Sequence, residues 1–438
     1  HRVRQASALE KNYRKEVALS AEYAGEALLL HVTGRADGIY EDADGLFVIE
    51  EIKLGAENQP LIPAHRAQAA MYGHMLASEE KLNMLRLRVL YVDIRARELA
   101  VYEETKTDDE LKAEFDFLCA AAYAWEEKKL MRRIARDQSL SSLAFPFDRY
   151  REGQRKFAAN VYIALRERKR LFAQAPTGIG KTMAALYPAL RAIGENKCQR
   201  AVFLAARTTG RRSAMSAMEK LACSCANTLT TEITAKDKIC PMPRRDCRPE
   251  NCHCARGFYD RLPAALEEGL TLSMLDRESI FLLAQKHQIC PFELSLELAM
   301  LSDVVVCDYN YVFDPLVSMD RLLQGPGGAS LLVDEAHQLV PRVRDAYSAE
   351  VSLDALRELR RETGKILGRK GGLYRALTGA IRALKDAAAQ ENFDSLQTPP
   401  EPLFKAMERV REHAGEQLAM GAGQIAADCF SLANAYLF

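Results

Sequence analysis

The chain lacks any run of about 18 apolar residues, so a membrane-spanning helix is not expected. It lacks a secretory signal pattern, which points away from export. It lacks net charge, with 60 Lys+Arg against 60 Asp+Glu. A nucleic-acid partner would therefore be gripped by local basic patches, because the molecule as a whole exerts no strong field. No internal repeat and no long disordered tract is visible, and the stretch QENFDSLQTPPEP reads as a loop. The first residue is His1 where a Met would be expected, so an upstream stretch is expected to be missing.

What is present is a chain of 438 residues, 48% of them apolar, long enough for two to four domains with cores of their own. Its eleven cysteines are an odd number, and several are clustered. In a large chain of this kind that pattern favours metal binding over a disulfide framework and a reducing, cytoplasmic location.

The first 138 residues predict an α/β domain. Residues 16 to 53 read as strands, EALLLHVTGRADGIY and LFVIEEIKL being short apolar runs split by the turn EDADG. Residues 64 to 77 and 108 to 136 have helical periodicity. A boundary is expected near 140, in SLSSLAFPFDRYREGQ. From 156 the order helix, strand (RLFAQ), Gly-rich loop, helix, strand predicts a parallel sheet. A cysteine-rich insertion over 223–300 interrupts that sheet, which resumes with DVVVCDYNYV and ASLLVDEAH. Beyond 345 the chain reads as helical.

APTGIGKT, residues 175 to 182, opens a helix directly after an apolar strand, the context of a phosphate-binding loop. Backbone N–H groups from Thr177, Gly178 and Gly180 and the helix N-terminus would cradle the phosphates of ATP. Lys181 would reach the β- and γ-phosphates and Thr182 would hold Mg²⁺. Asp334, at the end of LLVDEAH, would hold the same ion, and Glu335 would orient the attacking water.

Other residues make this resemblance specific. GKT with DEAH resembles a superfamily 2 helicase motor. YREGQ resembles the motif that reads adenine, with Gln154 as the contact. VFLAARTTG resembles the next motif, in which Arg207 and Thr208 would face phosphates of a DNA strand. CDYNYVFDP resembles a stretch of the XPD/DinG helicases. The resemblance covers residues 143 to 345 and implies a first RecA-like lobe there, with 346–438 similar to the XPD arch domain. It implies a motor that moves 5′ to 3′ on single-stranded or branched DNA, in repair or recombination. No SAT-like or QxxGRxxR-like motif follows, so the second RecA-like lobe is not expected in this chain.

The cysteines are spaced Cys240-x6-Cys247-x4-Cys252-x-Cys254-x35-Cys290. Zinc sites usually present paired C-x₂₋₄-C knuckles, and only one such pair is approximated. The XPD/DinG resemblance implies a 4Fe–4S cluster between the phosphate loop and DEAH, with AKDKIC and CPFE at its two ends. Cys240, Cys247, Cys252 and Cys290 are the implied ligands, with Cys254 as the alternative to Cys252. Four thiolates suit such a cube. Residues 236 to 256 hold six Lys/Arg against three Asp/Glu, which suits a contact for single-stranded DNA. A metal staple with no DNA role is the alternative. Cys119, Cys198, Cys223, Cys225, Cys307 and Cys429 read as ordinary apolar residues.

In the first domain Asp37 sits near one strand end, and Glu51 and Lys53 alternate onto one face of the next. Two carboxylates and a lysine can hold Mg²⁺ or Mn²⁺ and stabilise a hydroxide attacking phosphate. Solvated charges on an edge strand are the plainer explanation of that triplet alone. It resembles the PD-(D/E)XK nucleases, and RAQAAMY, with Gln68 and Tyr72 one helical turn apart, resembles the RecB-like subgroup. That resemblance implies His1 as a further metal ligand, and Glu16 reads as another acidic wall of the site. His31, His65 and His74 read as surface or hydrogen-bonded residues. The alternatives to a nuclease–helicase are a helicase whose N-terminal domain only binds DNA, and a non-catalytic DNA-binding or redox-sensing fragment.

Overall fold

The computed structural model describes residues 12–55, 58–93, 97–223, 227–243, 245–324, 328–389, 398–421 and 423–437. The chain divides into two compact units, His1–Ala135 and Arg136–Phe438.

Unit one is a five-stranded mixed sheet in sequence order, β1 (Arg14–Ala24), β2 (Leu29–Glu41), β3 (Phe47–Leu54), β4 (Met84–Val92) and β5 (Glu98–Thr107). Only β3 and β4 run parallel, which demands a crossover, and helix α1 (Pro63–Glu80) supplies it. α1 covers one face of the sheet, and Ala69, Ala70, Met75 and Leu76 pack there on Ile49, Leu87 and Val89. α2 (Asp108–Ser141) contributes Leu111 and Phe115 to that core. The other face buries charge. Glu50 is fully buried, accepts 2.8 Å from the Tyr13 hydroxyl and faces Arg88 at 3.5 Å.

Alternation along β1 and β2 slips once. Ala36 and Ile39, three residues apart, pack in the same core. Val17 of β1 packs in that core, while Tyr13, just before β1, serves the opposite face. The two slips meet: Lys15 pairs with Gly38 and Val17 with Ala36, which leaves Glu16 opposite Asp37 with no ladder pairing between them. Glu16 takes a left-handed φ of 53°, a state that one type of bulge uses.

Unit two holds a parallel sheet of order β10-β6-β9-β7-β8. Its strands are β6 (Arg200–Leu204), β7 (Thr230–Glu232), β8 (Met274–Leu275), β9 (Val304–Cys307) and β10 (Ala329–Val333). Fully buried β9, VVVC, is a continuous apolar run, as a central parallel strand should be. Around the sheet lie α3 (Gln154–Arg166), α4 (Lys181–Gly194), α5 (Thr208–Ala222), α6 (Lys236–Ile239), α7 (Phe258–Gly269), α8 (Arg277–Lys286), α9 (Pro291–Leu301), α10 (Asn310–Phe313) and α11 (Leu339–Ala346). Helices α12 (Leu353–Ile366), α13 (Gly372–Ala388), α14 (Glu401–Ala419) and α15 (Gly423–Leu437) form a bundle with its own core, including Leu356, Leu377, Met407 and Cys429. The Arg136 guanidinium donates 2.8 Å to Asp303, whose other oxygen accepts the Leu229 N–H at 2.8 Å. Both side chains are almost fully buried, so losing either partner would cost about 3–5 kcal/mol.

One predicted strand is corrected. RLFAQ, residues 170 to 174, joins no sheet, and Phe172 is 91% exposed. Its apolar run satisfies strand propensity, but no partner ladder is offered to it, and pairing decides a strand. No described helix is long and apolar enough to cross a membrane.

Candidate functional sites

The phosphate loop lies between the RLFAQ segment and α4 and depends on glycine. Gly178 and Gly180 take φ of 86° and 81°. A Cβ on Gly180 would stand 2.4 Å from Nε2 of Gln154, which donates to the Gly180 carbonyl at 3.3 Å. Gln154 is buried, and its Oε1 accepts the Arg151 N–H at 3.0 Å. Its amide thus braces the loop as well as standing where an adenine contact was expected. Lys181 donates 3.3 Å to the Ala175 carbonyl, and Thr182 shares a 3.2 Å hydrogen bond with Ser213. Ser213, one of many serines by sequence, carried no signal.

β10 delivers Asp334 to the same end of the sheet. A pocket of about 340 Å³ is lined by Ala205, Arg207, Thr209, Gly210, Asp334 and Glu335. Burial raises the Asp334 carboxyl pKa, Glu335 raises it further, and the Lys181 ammonium opposes both. Gly210, on the helix whose Ser213 bonds Thr182, stands against this carboxylate: a Cβ there would lie 3.2 Å from Oδ2 of Asp334. Tyr309, buried in CDYNYVFDP, donates its hydroxyl to the Asp334 and Glu335 carbonyls. It holds a turn in which Glu335 has φ 52°.

Five cysteines flank α6, α7 and α9. Cys252 and Cys254 are buried, Cys240 and Cys290 half-buried, and Cys247 exposed. Burial pushes the Cys254 thiol up to about 11, and the charges of Cys252, Cys290 and Cys240 add to that. Cys254 is thus buried within the electrostatic field of the other three, which supports it as a candidate ligand beside Cys252. Cys290 caps α9. Burial raises its pKa, and the N–H groups of Glu293 and Phe292 lower it. Lys236 feels both Cys247 and Cys290 and donates 2.9 Å to Glu293. Thiols grouped at a helix N-terminus beside an ammonium fit a site for thiolate ligands. No preformed metal-holding group of three or more side chains is present among the described residues. Much of the local basic charge is committed internally. Arg245 pairs with Asp237 and Arg248 with Asp246, and Arg256 donates to the Pro249 and Glu250 carbonyls. Of the cysteines read as ordinary, Cys119, Cys198, Cys307 and Cys429 are buried, but Cys223 is exposed, and Cys225 lies outside the described residues.

In unit one the predicted residues converge on the α1 face. Asp37 accepts the Ile52 N–H at 2.8 Å. Lys53 donates 2.5 Å to Oε1 of Glu51 and 2.9 Å to Oε1 of Gln68, whose amide donates 3.0 Å to the Tyr72 hydroxyl. The Tyr72 ring covers Gly34, where a Cβ would meet it at 2.2 Å. Glu51 is 2% exposed, and its Oε2 has no hydrogen-bond partner. Burial first, then the charges of Asp37 and Glu16, raise its pKa to about 7 against the pull of Lys53. Burial also raises Asp37. Hard oxygen donors with an orphaned buried oxygen suit a divalent cation. His1 lies outside the described residues.

Residues 200–356 match the family model DEAD_2. The chain is 23% identical over 319 residues to the regulator of telomere elongation helicase 1 homolog of Caenorhabditis elegans, an alignment covering 61% of this chain and 32% of that protein. It is 34% identical over 94 residues to the Fanconi anemia group J protein homolog of Gallus gallus, covering 21% and 7%. The chain thus spans about a third or less of the length of these relatives. Among solved structures, "XPD_Helicase" aligns at TM-score 0.42 and 15% identity over 65% of this chain and 51% of that one. "Truncated XPD" aligns at 0.40 and 14% over 64% and 81%. At these scores the likeness is partial. Through its DEAD_2 segment and its alignment over 319 residues, the chain is similar in sequence to the regulator of telomere elongation helicase 1 homologs.

Proposed function

We propose that unit two is the nucleotide-binding part of an XPD/DinG-type DNA helicase, moving 5′ to 3′ on single-stranded or branched DNA in repair or recombination. The observation that carries this reading is that helix α5 joins the phosphate loop to the acidic strand end: its Ser213 hydrogen-bonds Thr182 at 3.2 Å, and a Cβ on its Gly210 would stand 3.2 Å from Oδ2 of Asp334. In it, Lys181 holds the β- and γ-phosphates, Thr182 and Asp334 hold Mg²⁺, and Glu335 orients water. Gln154 links base recognition to the loop through Gly180. A 4Fe–4S cluster held by Cys240, Cys252, Cys254 and Cys290 would supply rigidity to the insertion. DNA-stimulated ATP hydrolysis that Lys181→Ala abolishes tests the motor. The reading fails if the protein binds no ATP, or if Lys181→Ala binds it as the parent does.

We also propose that unit one is a RecB-like, PD-(D/E)XK-type DNA nuclease. The orphaned Glu51 oxygen beside Asp37 and Lys53 favours it over a domain that only binds DNA. Mg²⁺ or Mn²⁺ would there supply a nucleophilic water and charge neutralisation. Asp37 and Glu51 would hold the cation, and Lys53 would steady the developing negative charge. Gln68 fixes the Lys53 ammonium, and Tyr72 fixes Gln68. The test is Mn²⁺-dependent degradation of labelled single-stranded DNA without ATP. Undiminished cleavage by Lys53→Ala would mean the site is elsewhere.

A further inference from the structure

Helix α5 brings two residues to the nucleotide site. Gly210 and Ser213 are three apart, so they lie on one face of the helix. Ser213 Oγ is 3.2 Å from Oγ1 of Thr182, and a Cβ on Gly210 would stand 3.2 Å from Oδ2 of Asp334. Thr182 belongs to the first turn of α4, and Asp334 directly follows β10. One face of a third element therefore meets both groups expected to hold the cation. A hydroxyl and a carboxylate are hard oxygen donors, which fit Mg²⁺.

The chemistry of the hydroxyl pair gives Ser213 a task. A hydroxyl that ligates a cation offers it a lone pair and must turn its single proton elsewhere. Ser213 Oγ stands where it can accept that proton. Accepting it fixes which way the Thr182 oxygen faces and strengthens it as a donor to the ion. Fold stability gains little from the same bond, because Ser213 is exposed and water would replace it. Gly210 acts by what it lacks. Glycine is a poor residue for a helix interior, yet a Cβ here would meet Ala205 at 3.0 Å as well as the Asp334 carboxylate.

We infer that Ser213 is a positioning residue for the metal ligand Thr182, and that the bare backbone of Gly210, on the same helix face, keeps room for Asp334. The inference rests on the nucleotide-binding reading of unit two. Ser213 acts through the Thr182 hydroxyl and need touch neither nucleotide nor cation.

The experiment measures the affinity of a fluorescent ATP analogue for the full chain, once with Mg²⁺ and once with EDTA. The ratio of the two reports what the metal adds. Ser213→Ala should weaken binding with Mg²⁺ roughly tenfold, the low end of what removing a supporting group near a metal costs, and leave the EDTA value unchanged. Ser213→Thr keeps a hydroxyl and should restore most of the ratio. Gly210→Ala crowds Asp334 and should lower the ratio as well. If Ser213→Ala weakens binding equally with and without Mg²⁺, Ser213 is structural and the inference falls. If it keeps the parent's ratio while Lys181→Ala loses the analogue, Ser213 has no part in holding the metal ligand and the nucleotide-binding reading stands. If the parent binds no analogue under either condition, both fall together.

Discussion

The ammonium of Lys53 lies 2.9 Å from Oε1 of Gln68, and this bond ties strand β3 to helix α1 across the candidate cation site. Without Gln68 the ammonium, among the described residues, is left with Glu51, the carboxylate it would have to share with a metal. Gln68→Ala should therefore lower metal-dependent DNA cleavage roughly tenfold or more. Gln68→Glu keeps an acceptor for Lys53 and should retain more activity than the alanine variant. Initial rates on labelled single-stranded DNA decide between them.

The phosphate loop offers a comparison of two glycines with nearly the same φ. Gly178→Ala and Gly180→Ala each impose a left-handed conformation on an L-residue, at about 1–2 kcal/mol. Nothing lies within 4 Å of a Cβ at Gly178, whereas at Gly180 it would meet Gln154 at 2.4 Å. Gly180→Ala should therefore weaken binding of a fluorescent ATP analogue more than Gly178→Ala does. Equal losses would show that Gln154 does not brace the loop.

His74 predicts a pH dependence in unit one. It packs on Phe115 with ring centroids 4.5 Å apart, and burial lowers its pKa below the ordinary 6.5. Asp108 and Asp116 oppose the shift, and Lys112 adds to it. The unfolded chain then binds more protons than the folded one, so stability rises with pH. The contribution is complete above about 6.5 and is lost as pH falls through the folded value. His74→Phe should flatten this part of the urea-midpoint profile between pH 7 and 5 without removing the dependence due to other groups.

What the sequence made legible follows from locality. GKT, DEAH, E-x-K and Q-x-x-x-Y are short motifs on regular elements, and period-2 or period-3.6 geometry sends their side chains to one face. Lys53, Gln68 and Tyr72 meet for that reason. The tandem bulge at Glu16 and Asp37 was hidden, because a bulge is a relation between two strands. RLFAQ shows the converse limit: local apolarity suits a strand, but the ladder must come from elsewhere. Gln154, Ser213 and Tyr309 act through partners 26, 31 and 25 residues away, beyond any local pattern. His74 was read as surface or hydrogen-bonded, yet its Nδ1 is buried with no hydrogen-bond partner.

Burial and spacing single out different cysteines of the insertion. C-x-C is an awkward separation for two ligands of one cluster, so Cys252 and Cys254 read as alternatives. The structure buries both, whereas Cys247 is exposed. Cys254 senses Cys240, Cys252 and Cys290 together. A ligand must present its sulfur toward the other sulfurs, and burial among them meets that need better than even spacing along the chain. With anaerobically purified full chain, Cys254→Ser should therefore lose most of its iron and its visible absorption. Cys247→Ser should retain most of both. Iron retained by Cys254→Ser and lost by Cys247→Ser would restore the assignment made from spacing. Stoichiometric zinc in a colourless parent protein would instead make the insertion a zinc staple.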